Sequence, residues 1–110
     1  MSGNLPEVIR LLDARGERPA NAAGIGEFWY EPEVWSLPLS PDARVLYAGL
    51  CSFLGHREIN RKDLRNTLKD RPDKEISLTL EELVHHDLLV PAGNGITRGY
   101  EVRPVSDFSV

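Results

Sequence analysis

Between Ser40 and Pro104 the chain alternates helix starts and stops in an order that leaves few folds open. Ser40-Pro41 is a good helix start. The serine oxygen accepts a backbone hydrogen bond, and proline at the first helical position has no useful amide to lose. Val45, Leu46, Gly49, Leu50 and Phe53 then recur at helical spacing, and Gly55 is the expected left-handed stop. Ile59 enters the core, and Asn60 caps a second helix from Arg61 to about Lys69 with Leu64 and Leu68 inward. Pro72 forbids continuation, and Asp73 caps a third helix whose inner face is Ile76, Leu80, Leu83 and Val84, up to His86. Thr79-Leu80-Glu81-Glu82 is a competing capping box that would start the helix later. The longer helix is the expectation.

After the helices, Leu88-Leu89-Val90 reads as a strand and Ala92-Gly93-Asn94-Gly95 as a hairpin turn, since Asn-Gly supplies positive φ cheaply. Tyr100 and Val102 alternate with Glu101 and Arg103, so the return strand has one wet face. Three helices followed by such a hairpin is the order of a winged helix-turn-helix. The predicted class is α+β, mainly α: a three-helix core, a hairpin wing with Arg98 at or near its tip, and an N-terminal aromatic strand. That strand is Phe28-Trp29-Tyr30, ended by Pro32. With Trp35 it places four large aromatics within eight residues, each able to hide roughly 150–250 Å² in this core or against a second copy.

Residues 1–26 read as an arm. Leu5 to Ala14 has the pattern of a short amphipathic helix capped by Asn4, with Val8, Leu11 and Leu12 on one face and Gly16 as its stop. Arg15 to Gly26 reads as a linker. Its Gly24-x-Gly26 lacks both a preceding strand and the third glycine of a phosphate loop. The expected domain is 27–104, with a tail at 105–110.

The chain has 110 residues, which suits one hydrophobic core. No run of 18 apolar residues occurs, so no membrane partner is expected. The start shows no signal-peptide pattern, and the single Cys51 cannot form an internal disulfide, so a cytoplasmic setting is expected. Cys51 reads as a core residue. His56, His85 and His86 have no partners at metal-ligand spacing, and no nucleophile, base and oxyanion donor converge. No metal, cofactor or catalysis is therefore expected.

The net charge of -4 hides a polarity. Pro41 to Arg71 holds seven bases against four acids, whereas Pro72 to Ala92 holds one base against five acids. Arg61, Arg65 and Lys69 fall at i, i+4 and i+8, with Lys62 beside them, which makes an ordered basic stripe on the second helix.

Phe28-Trp29-Tyr30, Trp35-Ser36-Leu37-Pro38-Leu39-Ser40-Pro41, Ala43-Arg44-Val45-Leu46-Tyr47 and Leu50, with Leu80 to Val90, resemble the winged-helix domains of DnaD-type primosome proteins and of plasmid or phage replication initiators. The resemblance implies DNA binding or self-association. Two readings stand side by side. In the first, double-stranded DNA is held at its phosphates by Arg61, Lys62, Arg65, Lys69, Arg98 and Arg103, while Lys74, Ser77, Leu78 and His85 reach base edges. In the second, the acidic third helix with Glu81 and Glu82, or the aromatic segment Phe28, Trp29, Tyr30 and Trp35, meets a protein. That protein is a second copy in a homodimer, or a replication or transcription protein.

Overall fold

A computed structural model describes residues 5–26, 28–92 and 98–105, without the Arg98 side chain. Six strands and three α-helices are present among these residues, an α+β chain as expected at that level. In chain order they are β1 (Val8–Asp13), β2 (Ala23–Ile25), β3 (Phe28–Tyr30), α1 (Pro41–Phe53), β4 (Glu58–Asn60), α2 (Arg61–Thr67), α3 (Asp73–His85), β5 (Leu89–Ala92) and β6 (Arg98–Val102). Single 3₁₀ turns at Pro32–Ser36 and Leu54–His56 join the pieces. The turn Gly93-Asn94-Gly95, the Asn4 cap and the tail from Ser106 lie outside the described residues.

The expected helix at Leu5–Ala14 is instead strand β1. Its exposure alternates, with Ile9 and Leu11 buried while Val8 and Leu12 stay about half exposed. The apolar run fits either period, and tertiary pairing decides between them. β1 lies inside a four-stranded sheet of order β4-β1-β6-β5. It runs antiparallel to β4, with Arg10 opposite Glu58, and parallel to β6, with Ile9 opposite Arg98 and Asp13 opposite Val102. The supposed arm is therefore the second strand of the main sheet.

The supposed linker is also structured. β2 pairs with β3 to form a separate ribbon, with Ala23 opposite Tyr30 and Ile25 opposite Phe28. Gly24 is required there: its φ is +104°, and a Cβ would run into the Phe28 carbonyl. The Arg18 guanidinium donates to the Gly24 and Gly26 carbonyls at 3.0 and 3.1 Å. Two acceptors that a further strand could use are thereby occupied.

α1 and α2 start as the sequence predicts, whereas α3 does not use its expected cap. Pro72 holds the N-cap position with no side-chain bond, and Asp73 is the first helical residue, its carboxylate accepting from Arg65. The Ser40 hydroxyl accepts from the Ala43 amide at 3.1 Å. Asn60 and Asp63 form a reciprocal capping box. α3 is the longer alternative, and Thr79 is not its cap: the Thr79 hydroxyl donates to the Glu75 carbonyl. The stops differ more. Gly55 sits within a 3₁₀ turn, and the left-handed residue is Arg57 (φ 64°). α2 ends at Thr67, short of Lys69, and Asp87 (φ 62°) turns the chain after α3.

One core unites these parts. Leu46, Tyr47, Leu50 and Cys51 of α1 pack with Ile76, Leu80 and Leu83 of α3, Leu64 of α2, and Ile9, Ile59, Leu89 and Val102 of the sheet. Each fully buried aliphatic side chain contributes about 1.5–3 kcal/mol. The opposite face of the sheet carries Val8, Arg10 and Leu12, with Arg10 Nε 3.7 Å from Glu58.

Candidate nucleic-acid interface

Ion pairs as well as a shared core link α2, the turn after it and α3. The Arg65 guanidinium donates to both oxygens of Asp73, at 2.9 and 2.7 Å, which ties the middle of α2 to the first turn of α3. These bonds hold the Asp73 carboxyl below its ordinary range and push Arg65 up. Arg71, in the intervening turn, donates to Asp42 at 2.9 Å and reaches Glu75 at 4.0 Å. Both pairs face water, so they set geometry more than stability.

The basic stripe is thus partly committed. Arg61 donates through Nε to the Leu5 carbonyl at 3.1 Å, and Arg65 is engaged with Asp73. Lys62, Lys69 and Lys74 are exposed and make no ion pair with a described residue. On α3, Leu78 is 54 % exposed, Glu81 and His85 face solvent, and Ser77 is half-buried. His85 meets His86 edge-on with ring centroids 5.4 Å apart. Arg103, just past β6, is half-buried, with its carbonyl accepting from the Tyr47 hydroxyl. Arg98 starts β6, and its side chain lies outside the described residues.

Two residues expected to offer a protein contact are occupied inside the fold. Trp29 is buried, because β3 turns it toward the body of the domain. Glu82 accepts from the Ser40 amide and hydroxyl at 2.9 and 2.8 Å, clasping the start of α1 instead of facing a partner. Phe28 and Trp35 remain 41 % and 45 % exposed, while Tyr30 is half-buried edge-on to Trp35 at 5.9 Å.

Sequence reasoning missed Arg15, a buried cation in the supposed linker. Its guanidinium lies 3.6 Å from the Trp29 ring centroid, grips Asp13 at 2.9 and 3.0 Å, and donates to the Trp29 carbonyl. No periodicity marks it, since its partners are brought close only by folding. Burial raises the Asp13 carboxyl, but the bonds and charge from Arg15 outweigh this and hold it below its usual value. Nearby, burial pushes the Cys51 thiol up to about 12 and the Tyr47 phenol far above its usual value. Cys51 is accordingly a protonated core residue, as its sequence position predicts.

A depressed Asp13 stabilises the fold above its unfolded pKa of about 3.9, and that contribution is lost as pH falls through the lower folded value. The urea midpoint is therefore expected to fall between pH 5 and pH 3 in the parent, and to fall less in Asp13→Asn. Equal slopes in the two proteins would show that Asp13 does not carry the effect.

Among the described residues, no cluster of potential ligands could hold a metal ion, and no helix is long and apolar enough to cross a membrane. Comparison with protein-family models, curated proteins and solved structures finds no match.

Proposed function

We propose that the chain is a DNA-binding winged helix of the replication-initiation or transcription-regulation type. The order α1, β4, α2, α3, β5, β6 supports this reading, as does the placement of β4, β5 and β6 in one sheet. The observation that carries it is the set of three exposed lysines, Lys62, Lys69 and Lys74, on the α2–α3 unit and its flank, with no carboxylate partner among the described residues. They would meet phosphates, and Arg65 could exchange Asp73 for a phosphate at little cost, because that pair faces water. Ser77, Leu78 and His85 then face the groove. The protein's contacts would be few, and its net charge is negative, so the binding should be modest.

Three to four neutralised phosphates give a log–log salt slope of about -3 to -4. Fluorescence anisotropy of a mixed-sequence duplex is expected to show that slope. The Lys62→Glu/Lys69→Glu variant should bind at least about tenfold more weakly, having lost two phosphate contacts. Affinity indifferent to salt and to the variant would rule the reading out.

A second reading is favoured by one observation. Leu78, the most exposed apolar side chain of α3, stands beside Glu81 on a helix whose neighbouring arginines are already engaged. A winged helix that pairs with a second copy would use such a face. Its sign is a dimer in solution that Leu78→Asp converts to a monomer, with negligible DNA affinity in both.

A further inference from the structure

β1 is covered unevenly along its two edges. β6 accompanies it from Ile9 to Asp13, whereas β4 accompanies it only from Val8 to Arg10. The last bond on the β4 side runs from the Leu11 amide to the Arg57 carbonyl at 2.7 Å. Beyond that point a groove of about 650 Å³ takes the place of a strand. β1 residues Arg10 to Asp13 form one wall, and Leu54, His56 and Arg57 stand on the other. A smaller recess of about 240 Å³, bordered by Trp29 and Gly55, shares Asp13, Leu54 and Arg57 with it. A space of this size is within the range of ligand pockets.

The lining is apolar below and selectively charged above. Leu11 and Leu54 are buried beneath it, while Leu12 is 52 % exposed. His56, held between Phe28 at 5.2 Å and Phe53 at 6.1 Å, makes an aromatic lip. Of the four charged side chains, Asp13 is neutralised by Arg15, and Glu58 lies 3.7 Å from Arg10. The Arg57 guanidinium has no carboxylate within ion-pair distance among the described residues, although its side chain is exposed on the groove. Its backbone is left-handed (φ 64°, ψ -27°), a conformation that glycine takes freely and arginine does not. Arginine at this point costs stability, and its cation borders the groove.

We propose that this groove binds an extended peptide segment of a partner protein that carries an acidic side chain. The segment continues the sheet beside Leu11–Asp13, where β4 stops, and its carboxylate meets Arg57. A nucleic-acid strand fits less well, because among the described lining residues Arg57 is the one cation without a carboxylate partner, and a continuous line of phosphates needs several. The inference is independent of DNA binding by α2 and α3, and a failed duplex titration there leaves it untouched.

The test is an amide NMR titration of the full chain with an eight-residue peptide alternating valine and aspartate, and with its valine–lysine counterpart. The expected result is saturable shifts at Leu12, Asp13 and Arg57 with the acidic peptide, and at least about tenfold weaker binding of the basic one, the value of one charge-assisted contact. Arg57→Gly suits the backbone at that position, so it should keep the native spectrum while binding the acidic peptide about tenfold more weakly. Four results would overturn the proposal: no saturation at millimolar peptide, shifts confined to other surfaces, equal binding of both peptides, or undiminished binding by Arg57→Gly. A duplex oligonucleotide that moves the same amides would reassign the groove to nucleic acid.

Discussion

A chain lacking residues 1–14 is expected to lose cooperative folding. The deletion removes Leu5, Ile9 and Leu11, three of the buried core side chains. At about 1.5–3 kcal/mol each, they account for a large part of the 5–15 kcal/mol that stabilises a domain. It also removes the strand that joins β4 to β6, so the sheet splits and both newly bared edges lose their ladders. Circular dichroism against urea concentration is the measurement. A sharp transition near the parent midpoint would mean that β1 is a dispensable arm. The milder Ile9→Ala, at a position 1 % exposed, should cost about 2–5 kcal/mol and keep a two-state transition.

Replacing Arg15 by alanine should be the most damaging single change outside the aliphatic core. Its side chain is only 1 % exposed, and three sets of contacts depend on it: Asp13, the Trp29 carbonyl and the Trp29 ring. Truncation leaves that carbonyl without its donor and opens a space beneath the indole. Asp13 is 43 % exposed and can recover water, which limits the loss. A cost of about 2–4 kcal/mol follows, below the full 3–5 kcal/mol of breaking a wholly buried pair. The melting temperature should fall by at least about 10 °C. Arg15→Lys keeps the charge but not the two-pronged grip, so it should fall between alanine and the parent. A change below about 1 kcal/mol for Arg15→Ala would show that the ribbon is held by other contacts.

The helical half of this chain was legible because its signals are local. Ser40-Pro41 and Asn60 act within one turn of the helices they start, and the structure uses both, while Asp73, read as the cap of α3, lies inside its first turn. β1 was not legible for the opposite reason. Val8-Ile9-Arg10-Leu11-Leu12 suits a helix or a strand, and its partners lie about 50 and 90 positions away. The stop at Gly55 was misplaced because glycine permits a left-handed turn without compelling one; the chain made its turn two residues later at Arg57. At the candidate interface, residue types were readable but their engagements were not. Arg61 and Arg65 look identical to Lys62 and Lys69 until Leu5 and Asp73 come into reach. Arg15, Trp29 and Asp13 escaped for the same reason, as did the second role of Glu82 at Ser40.

The parallel pairing of Ile9 with Arg98 bears on how this chain is made. A ribosome adds about 5–20 residues per second, so the first strand waits several seconds, from the emergence of Ile9, for the neighbour it needs. During that interval Val8-Ile9-Arg10-Leu11-Leu12 is an apolar, strand-prone segment with at most β4 beside it. Loop closure over so long a separation also slows refolding in dilute solution. The yield of this protein on overproduction should therefore depend on temperature more than its finished stability suggests.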